Sequence, residues 1–325
     1  MAGYLFNRVL QTILTLFVMS VLVFGGLNLV GNPVDVLLSS TATPAERLQV
    51  IKSFGLDKPV AEQYWIFLRH AVEGNLGNSF VYNQPALRLI LERMPATLEL
   101  AFVALVIALV VGLPLGIVAG LHPKGFVSKS IMTFSILGFS LPTFWIGVVM
   151  IMLFSVLLGW LPASGRGATI PVFGVPLSLC TWDGIRHLIL PAFNLALFKI
   201  SLVIRVTRAG VLETMELDYV RFARAKGLTE SRVVLVHVLR NTLIPLITVI
   251  GLELGSLIAF AVVTETIFAW PGMGKLIIDS IAVLDRPVIL AYLMMTVVMV
   301  SVINLIVDIL YTIVDPRARL EEAAE

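Results

Sequence analysis

Six apolar runs, each long enough to cross a bilayer, leave this chain few ways to fold. A membrane-spanning helix needs about 20 apolar residues. Such runs occur at Val9–Val30, Ala96–Leu121, Ser130–Leu158, His187–Ala209, Thr242–Val263 and Val288–Val314. Hydrocarbon offers no water to backbone N–H and C=O groups, so each run must satisfy them internally as a helix. The expected fold is therefore all-α and polytopic, with about six transmembrane helices. Composition agrees. Of 325 residues, 58% are hydrophobic and 14% charged, whereas a soluble domain carries about 25% charge. The first run is longer than a signal-peptide core and no A-x-A site follows it, so it is expected to remain as a span.

Charge sets the orientation. Arg205, Arg208, Arg221, Arg224, Lys226, Arg232 and Arg240 cluster between the fourth and fifth runs. Lys124, Lys129, Arg8, Arg317 and Arg319 fall on the same side of a six-span chain. The opposite short loops hold only Arg166, Arg186, Lys275 and Arg286. Positive residues stay inside, so both termini are expected in the cytoplasm. A net charge of +2 gives no reason to expect a nucleic-acid partner. The single cysteine, Cys180, allows neither an intramolecular disulfide nor a cysteine-built metal site. His70, His122, His187 and His237 lack ligand spacing, so no metal is expected.

Residues 1–95 read as the first helix and an external helical loop, and 96–325 as a five-helix core with a basic loop around 210–241. In the first part, Thr43-Pro44-Ala45-Glu46 is a capping box with proline at the first helical position. Gly55 can close that helix. A second amphipathic stretch after Pro59 places Tyr64, Phe67, Leu68 and Ala71 on one face, and a third starts near Pro85. Together they form either a cap on the membrane helices or an external docking surface. In the core, Gly112, Gly116 and Gly120 repeat at i+4, as do Gly251 and Gly255, a spacing that lets helix backbones approach closely. Pro114, Pro142 and Pro191 each remove a backbone hydrogen bond and can kink a span.

No motif for catalysis is present. The stretch nearest to a phosphate loop, Gly120 to Ser130, places Phe126 where the lysine belongs. A serine protease would rest on Ser164 and His187, but Pro162 replaces the first glycine of the G-x-S-G turn. Ionisable residues inside the spans are costly and point to function. Glu253, together with Asn304 and Asp308 one turn apart, is the candidate polar wall of a translocation path, with Ser140 and Pro142 of the third span. Lys199 and Glu99 are also embedded. The competing reading is structural, as interhelical hydrogen bonds or a Lys–Glu pair.

The basic loop reads Asp218-Tyr219-Val220-Arg221-Phe222-Ala223-Arg224-Ala225-Lys226-Gly227-Leu228-Thr229-Glu230. A short helix broken by Gly227, with Thr229 able to cap a second one, forms a rigid knob. The small residues Ala223 and Ala225 suit protein docking, and the alternative is a basic loop pinned to anionic lipid.

This segment, continuing through His237, Leu239-Arg240-Asn241 and Pro245, resembles the coupling segment of binding-protein-dependent ABC transporter permeases. The branch is the one importing dipeptides, oligopeptides and nickel. Five further stretches, in the family's order, extend the resemblance along nearly the whole chain. They are Gly74-Asn75-Leu76-Gly77 with Ser79; Pro95 to Leu100; Leu141-Pro142 through Ser164-Gly165; Thr264 through Gly274; and Asp315-Pro316-Arg317. Other branches carry Glu-Ala-Ala where this chain has Arg221-Phe222-Ala223.

The resemblance implies a type I ABC importer permease fold and a non-catalytic transport subunit in the inner membrane. A second homologous permease would complete a heterodimer, two ATPase subunits would bind ATP and Mg²⁺, and a soluble binding protein would deliver the solute. Tyr219, Arg221, Ala223, Arg224, Ala225, Lys226, Gly227 and Leu228 would couple to the ATPases. Peptides are the expected solute, with nickel and glutathione left open by the sequence. An ion-coupled secondary transporter, which would show inverted repeats, and an intramembrane protease are the competing classes.

Overall fold

All six apolar runs lie on helices. Among the described residues, five helices are long and apolar enough to cross a membrane, and a bent pair makes a sixth when counted as one span. The structure is a computed structural model that describes residues 2–30, 34, 43–53 and 55–314. Its helices are α1 (Ala2–Val30), α2 (Pro44–Ser53), α3 (Val60–Val72), α4 (Ala86–Leu121), α5 (Phe126–Ser140), α6 (Thr143–Met150), α7 (Trp182–Met215), α8 (Asp218–Ala225), α9 (Glu230–Arg232), α10 (Leu239–Ile267), α11 (Met273–Ala282) and α12 (Arg286–Val314). The amphipathic stretch expected near Pro85 and the second span are one helix, α4, which continues through Pro95 and Pro114. The chain divides into two units, Met1–Thr97 with Pro271–Val302, and Leu98–Trp270 with Ile303–Glu325.

In the first unit the capping box forms as its spacing predicts. The Thr43 N–H donates to Glu46 Oε2 at 2.8 Å, and the Glu46 N–H returns a bond to Thr43 Oγ1 at 3.3 Å. The Thr43 N–H, then its hydroxyl, hold the Glu46 carboxyl below its ordinary pKa. A carboxylate with a lowered folded-state pKa stabilises its helix at neutral pH and loses that contribution as pH falls through the lowered value. Gly55, at φ +65°, ends α2 with the paired bonds of a Schellman turn, Gly55 N–H to Lys52 O and Leu56 N–H to Ile51 O. The Tyr64–Phe67 face of α3 packs on α1: the Ser20 and Tyr64 hydroxyls lie 2.9 Å apart, and the Phe24 and Tyr64 rings 5.3 Å apart. These contacts are those of a cap on a membrane helix. Asp285, fully buried, accepts from Ser79 Oγ at 2.5 Å and from the Phe80 N–H at 3.0 Å. The loop ahead of α4 is thereby tied to the start of α12.

In the second unit the central element is α7, which packs against α10 and α5. The glycine stripe of α4 lies against it. A Cβ at Gly112, Gly116 or Gly120 would sit 2.6–2.7 Å from the nearest Val203, Thr207 or Val211 side-chain atom. Three such contacts, one per turn on each helix, bring the two backbones together. Gly251 faces Val307 in the same way.

Pro142 does more than kink the third span. It breaks it into α5 and α6, which meet at 102°. Proline drives the preceding residue out of the helical region, and Leu141 is extended at φ −82°, ψ 138°. Pro191 by contrast stays inside continuous α7. Beyond α6, Ile151–Leu157 is π-helical. An antiparallel hairpin of β1 (Ile170–Val172) and β2 (Val175–Leu177) follows, a departure from an all-α chain. Phe173 and Gly174, at φ 51° and 82°, supply the two left-handed residues that its tight turn requires.

The glycine contacts carry a prediction. A side chain added at Gly116 meets Thr207 Cβ at 2.6 Å and the Ile204 carbonyl at 3.0 Å, so backbone must move. Overpacking of this kind costs about 1–3 kcal/mol. Gly116→Val is expected to lower the thermal midpoint of the purified protein, whereas Gly25→Val, with open space around it, is expected to leave it unchanged. Equal midpoints for both variants would contradict the close α4–α7 contact.

Candidate functional site: a helical knob and an intramembrane charge pair

The knob between α7 and α10 is built around Gly227. At φ +75° it takes the left-handed conformation that ends α8. Its N–H donates to Arg224 O at 2.9 Å, and the Leu228 N–H to Ala223 O at 3.3 Å. This is a Schellman turn, complete with the accompanying apolar contact of Leu228. Open space lies where a Cβ at Gly227 would sit, so its requirement is conformational rather than steric.

Val220 and Ala223 point inward, packed with Val211, Val233 and Val238. This corrects the expectation that Ala223 offers a small docking contact: at 5% exposure its role is to seat α8 on the ends of α7 and α10. The outward face carries Tyr219, Arg221, Phe222, Ala225 and Lys226, with the Lys226 ammonium 4.6 Å over the Phe222 ring. Arg224 is spent internally, bonding Glu230 at 2.7 and 3.2 Å across the glycine turn. The Tyr219 hydroxyl accepts from Asn241 Nδ2, tying α8 to α10. Thr229 begins the second helix, but its hydroxyl makes no capping bond. That helix runs from α9 through π-helical Val233–Val238 into α10 without a break, so the knob is joined directly to a span.

Within the spans, Lys199 of α7 bonds Glu253 and Ser256 of α10. The Ser256 hydroxyl in turn bonds Glu253 Oε2 at 2.6 Å. The Lys199 side chain is 5% exposed and that of Glu253 31%. Of the expected path residues, Glu253 is thus half of an ion pair. Ser140 and Pro142 are exposed at the α5–α6 break, and Asn304 and Asp308 are partly buried on α12.

The third polar centre is Glu99 of α4, 5% exposed. It accepts from Arg166 Nη2 at 2.6 Å and from the Ser178 and Leu179 N–H groups at 2.7 and 2.9 Å. Arg166 also donates to Pro176 O at 2.6 Å and lies 5.7 Å over the Trp270 ring. Gly165 N–H bonds Phe268 O at 2.9 Å. Glu99 therefore anchors the hairpin loop rather than a path. The sequence offers a Lys–Glu pair as the structural alternative for the embedded ionisable residues; Lys199 forms one with Glu253, whereas Glu99 pairs with Arg166 of the loop. A lone lysine in an apolar helix was the available signal, and a carboxylate on the facing helix was its natural mate. Among the described residues, no cluster of three or more His, Cys, Asp or Glu is placed to hold a metal ion.

Comparison with known proteins places these features in a family. Residues 112–320 match the binding-protein-dependent transport system inner membrane component, and residues 1–101 match the N-terminal part of such membrane components. The di/tripeptide transport system permease protein DppB of Pseudomonas aeruginosa is 40% identical over 333 residues, covering 98% of this chain and 99% of that protein. The oligopeptide transport system permease protein AppB of Bacillus subtilis is 40% identical over 319 residues, with the same coverage. The dipeptide transport system permease protein DppB of Escherichia coli is 36% identical over 336 residues, again 98% and 99%. Among solved structures, the inward-facing MetNI methionine ABC transporter has a chain that superposes with TM-score 0.55 at 18% identity, over 70% of this chain and 96% of that one. At that identity the likeness speaks for the fold, the type I ABC importer permease fold. The chain belongs to the multi-pass inner-membrane permeases of binding-protein-dependent ABC transport systems.

Proposed function

We propose that this chain is one permease of a heterodimeric, ATP-driven peptide importer. A soluble binding protein delivers a dipeptide or oligopeptide on the outer side. Two ATPase subunits, holding ATP and Mg²⁺, dock on the knobs of this chain and its homologous partner. The observation that carries this reading is the knob itself. Its outward face of Tyr219, Phe222, Ala225 and Lys226 sits on a helix whose inner face is packed, and the following helix is continuous with α10. A push on that face moves a span as a rigid body, the contact a mechanically coupled transporter needs. The peptide assignment draws on the di/tripeptide and oligopeptide permeases that this chain resembles at 40% identity. Both termini lie in the cytoplasm in this reading, and Ser140, Pro142, Glu253, Asn304 and Asp308 contribute to the path.

Cysteine labelling tests the orientation. In a Cys180→Ser background, Lys58→Cys is expected to react with an impermeant maleimide in intact cells. Ala225→Cys, on the exposed face of α8, is expected to react only once the inner membrane is opened. Labelling of Ala225→Cys in intact cells, or co-purification of the native chain without any P-loop ATPase, would contradict the reading.

A further inference from the structure

Two charges facing each other inside membrane helices demand an explanation that packing does not give. Replacing a buried ion pair by well-packed apolar residues is commonly neutral or stabilising, so helix glue alone does not call for Lys199 and Glu253. Their surroundings are also unlike those of a closed structural pair. Glu253 keeps 31% of its side chain exposed. The Lys199 ammonium faces the rings of Phe198 and Phe260 at 5.2 and 6.0 Å, and Phe260 is 59% exposed. Phe139, 42% exposed beside the α5–α6 break, stacks on Phe198 at 4.4 Å. An ammonium has three donors, and two of them are used, on Glu253 and Ser256. The pair is therefore a dipole open on its anionic side, with the Lys199 side chain 5% exposed beside an aromatic rim.

We propose that Lys199 and Glu253 bind the two charged ends of a zwitterionic peptide by exchanging their mutual bond for bonds to it. The third donor of Lys199 takes the peptide carboxylate, and Glu253 turns to the peptide ammonium. Ser256 Oγ holds its place between them, and the aromatic rim covers the peptide's apolar body. No charge is left uncompensated in a medium where a bare one is costly. When the peptide leaves, the pair closes again and the empty path is neutral. A peptide blocked at either end would strand one member of the pair. This inference rests on the peptide-importer reading above and adds a substrate-contacting site to it.

The test is uptake of a radiolabelled alanyl-alanine by the complete transporter with its binding protein. The double variant Lys199→Met with Glu253→Gln removes both charges and leaves neither stranded. The complex is expected to co-purify intact while dipeptide uptake falls at least about tenfold, the size of effect that loss of one productive contact gives. Uptake within about twofold of native would overturn the proposal and leave the pair as structural. If the double variant does not assemble, benzoylphenylalanine at position 260 in the otherwise native chain decides the matter. Light-dependent attachment of the labelled dipeptide during ATP turnover, competed by unlabelled dipeptide, supports the site, and its absence overturns it. Failure of the native complex to take up any peptide would instead refute the importer reading, which keeps the two outcomes apart.

Discussion

Valine at position 227 is expected to abolish coupling while leaving the protein in its membrane. Gly227 closes α8 at φ +75°, and holding a β-branched residue there costs about 1–3 kcal/mol. Relief comes from abandoning the turn. That frees Leu228 from the Val211–Val220–Ala223–Val233–Val238 cluster and separates Arg224 from Glu230. The outward face then points elsewhere. Uptake is expected to fall at least about tenfold, with the chain inserted at native levels and ATPase subunits recovered poorly. Asparagine tolerates the left-handed conformation, so Gly227→Asn is expected to retain most activity. The contrast separates a docking knob from a lipid anchor. An anchor depends on charge, so neutralising Arg221 and Lys226 would then be the damaging change and Gly227→Val nearly silent. Uptake in the three variants decides between them.

Alanine at position 99 is expected to have the largest effect on the folded protein itself. The Glu99 carboxylate holds Arg166 and two backbone N–H groups in a site where its own side chain is 1% and that of Arg166 10% exposed. Removing one partner of a buried pair strands the other, at a cost of about 3–5 kcal/mol. The hairpin loop loses its anchor to α4. Amide exchange at Ser178 and Leu179 is expected to accelerate by orders of magnitude, and the yield of folded protein to drop. Glu99→Gln with Arg166→Gln is expected to be milder than the sum of the single changes, because the two act as one unit. Unchanged exchange at these amides in Glu99→Ala would contradict the anchoring role.

Much of this architecture is legible in residue order, because the signals are local. Apolar run length sets the spans, Thr43 and Glu46 three apart announce their capping box, and glycines at i+4 announce the close helix contact. Ala223 was legible and misread. It lies two residues from Ala225, roughly 200° round a helix, so the two cannot face one docking surface, and Ala223 is the buried one. Other features depend on contacts between distant residues. Span helices that are apolar all round give no face to read, so nothing local pairs Lys199 with Glu253 or Glu99 with Arg166. Pro142 marks a break but not its angle, since 102° is set by what α5 and α6 pack against. The hairpin at Ile170–Leu177 has strands of three residues, too short for alternation to stand out from a loop. Pro245 and Asp315-Pro316-Arg317 belong to the resemblance, but the Pro245 side chain and the Asp315-Pro316-Arg317 segment lie outside what the structure describes.

The most direct measurement is transport by a defined assembly. This chain, its homologous permease and the two ATPases are placed in proteoliposomes with the binding protein on one side and ATP on the other. The account predicts accumulation of a labelled dipeptide that requires ATP, the binding protein and every subunit, and that stops when this chain alone carries Gly227→Val. Accumulation driven by an ion gradient without ATP, or undiminished in the Gly227→Val assembly, would contradict it.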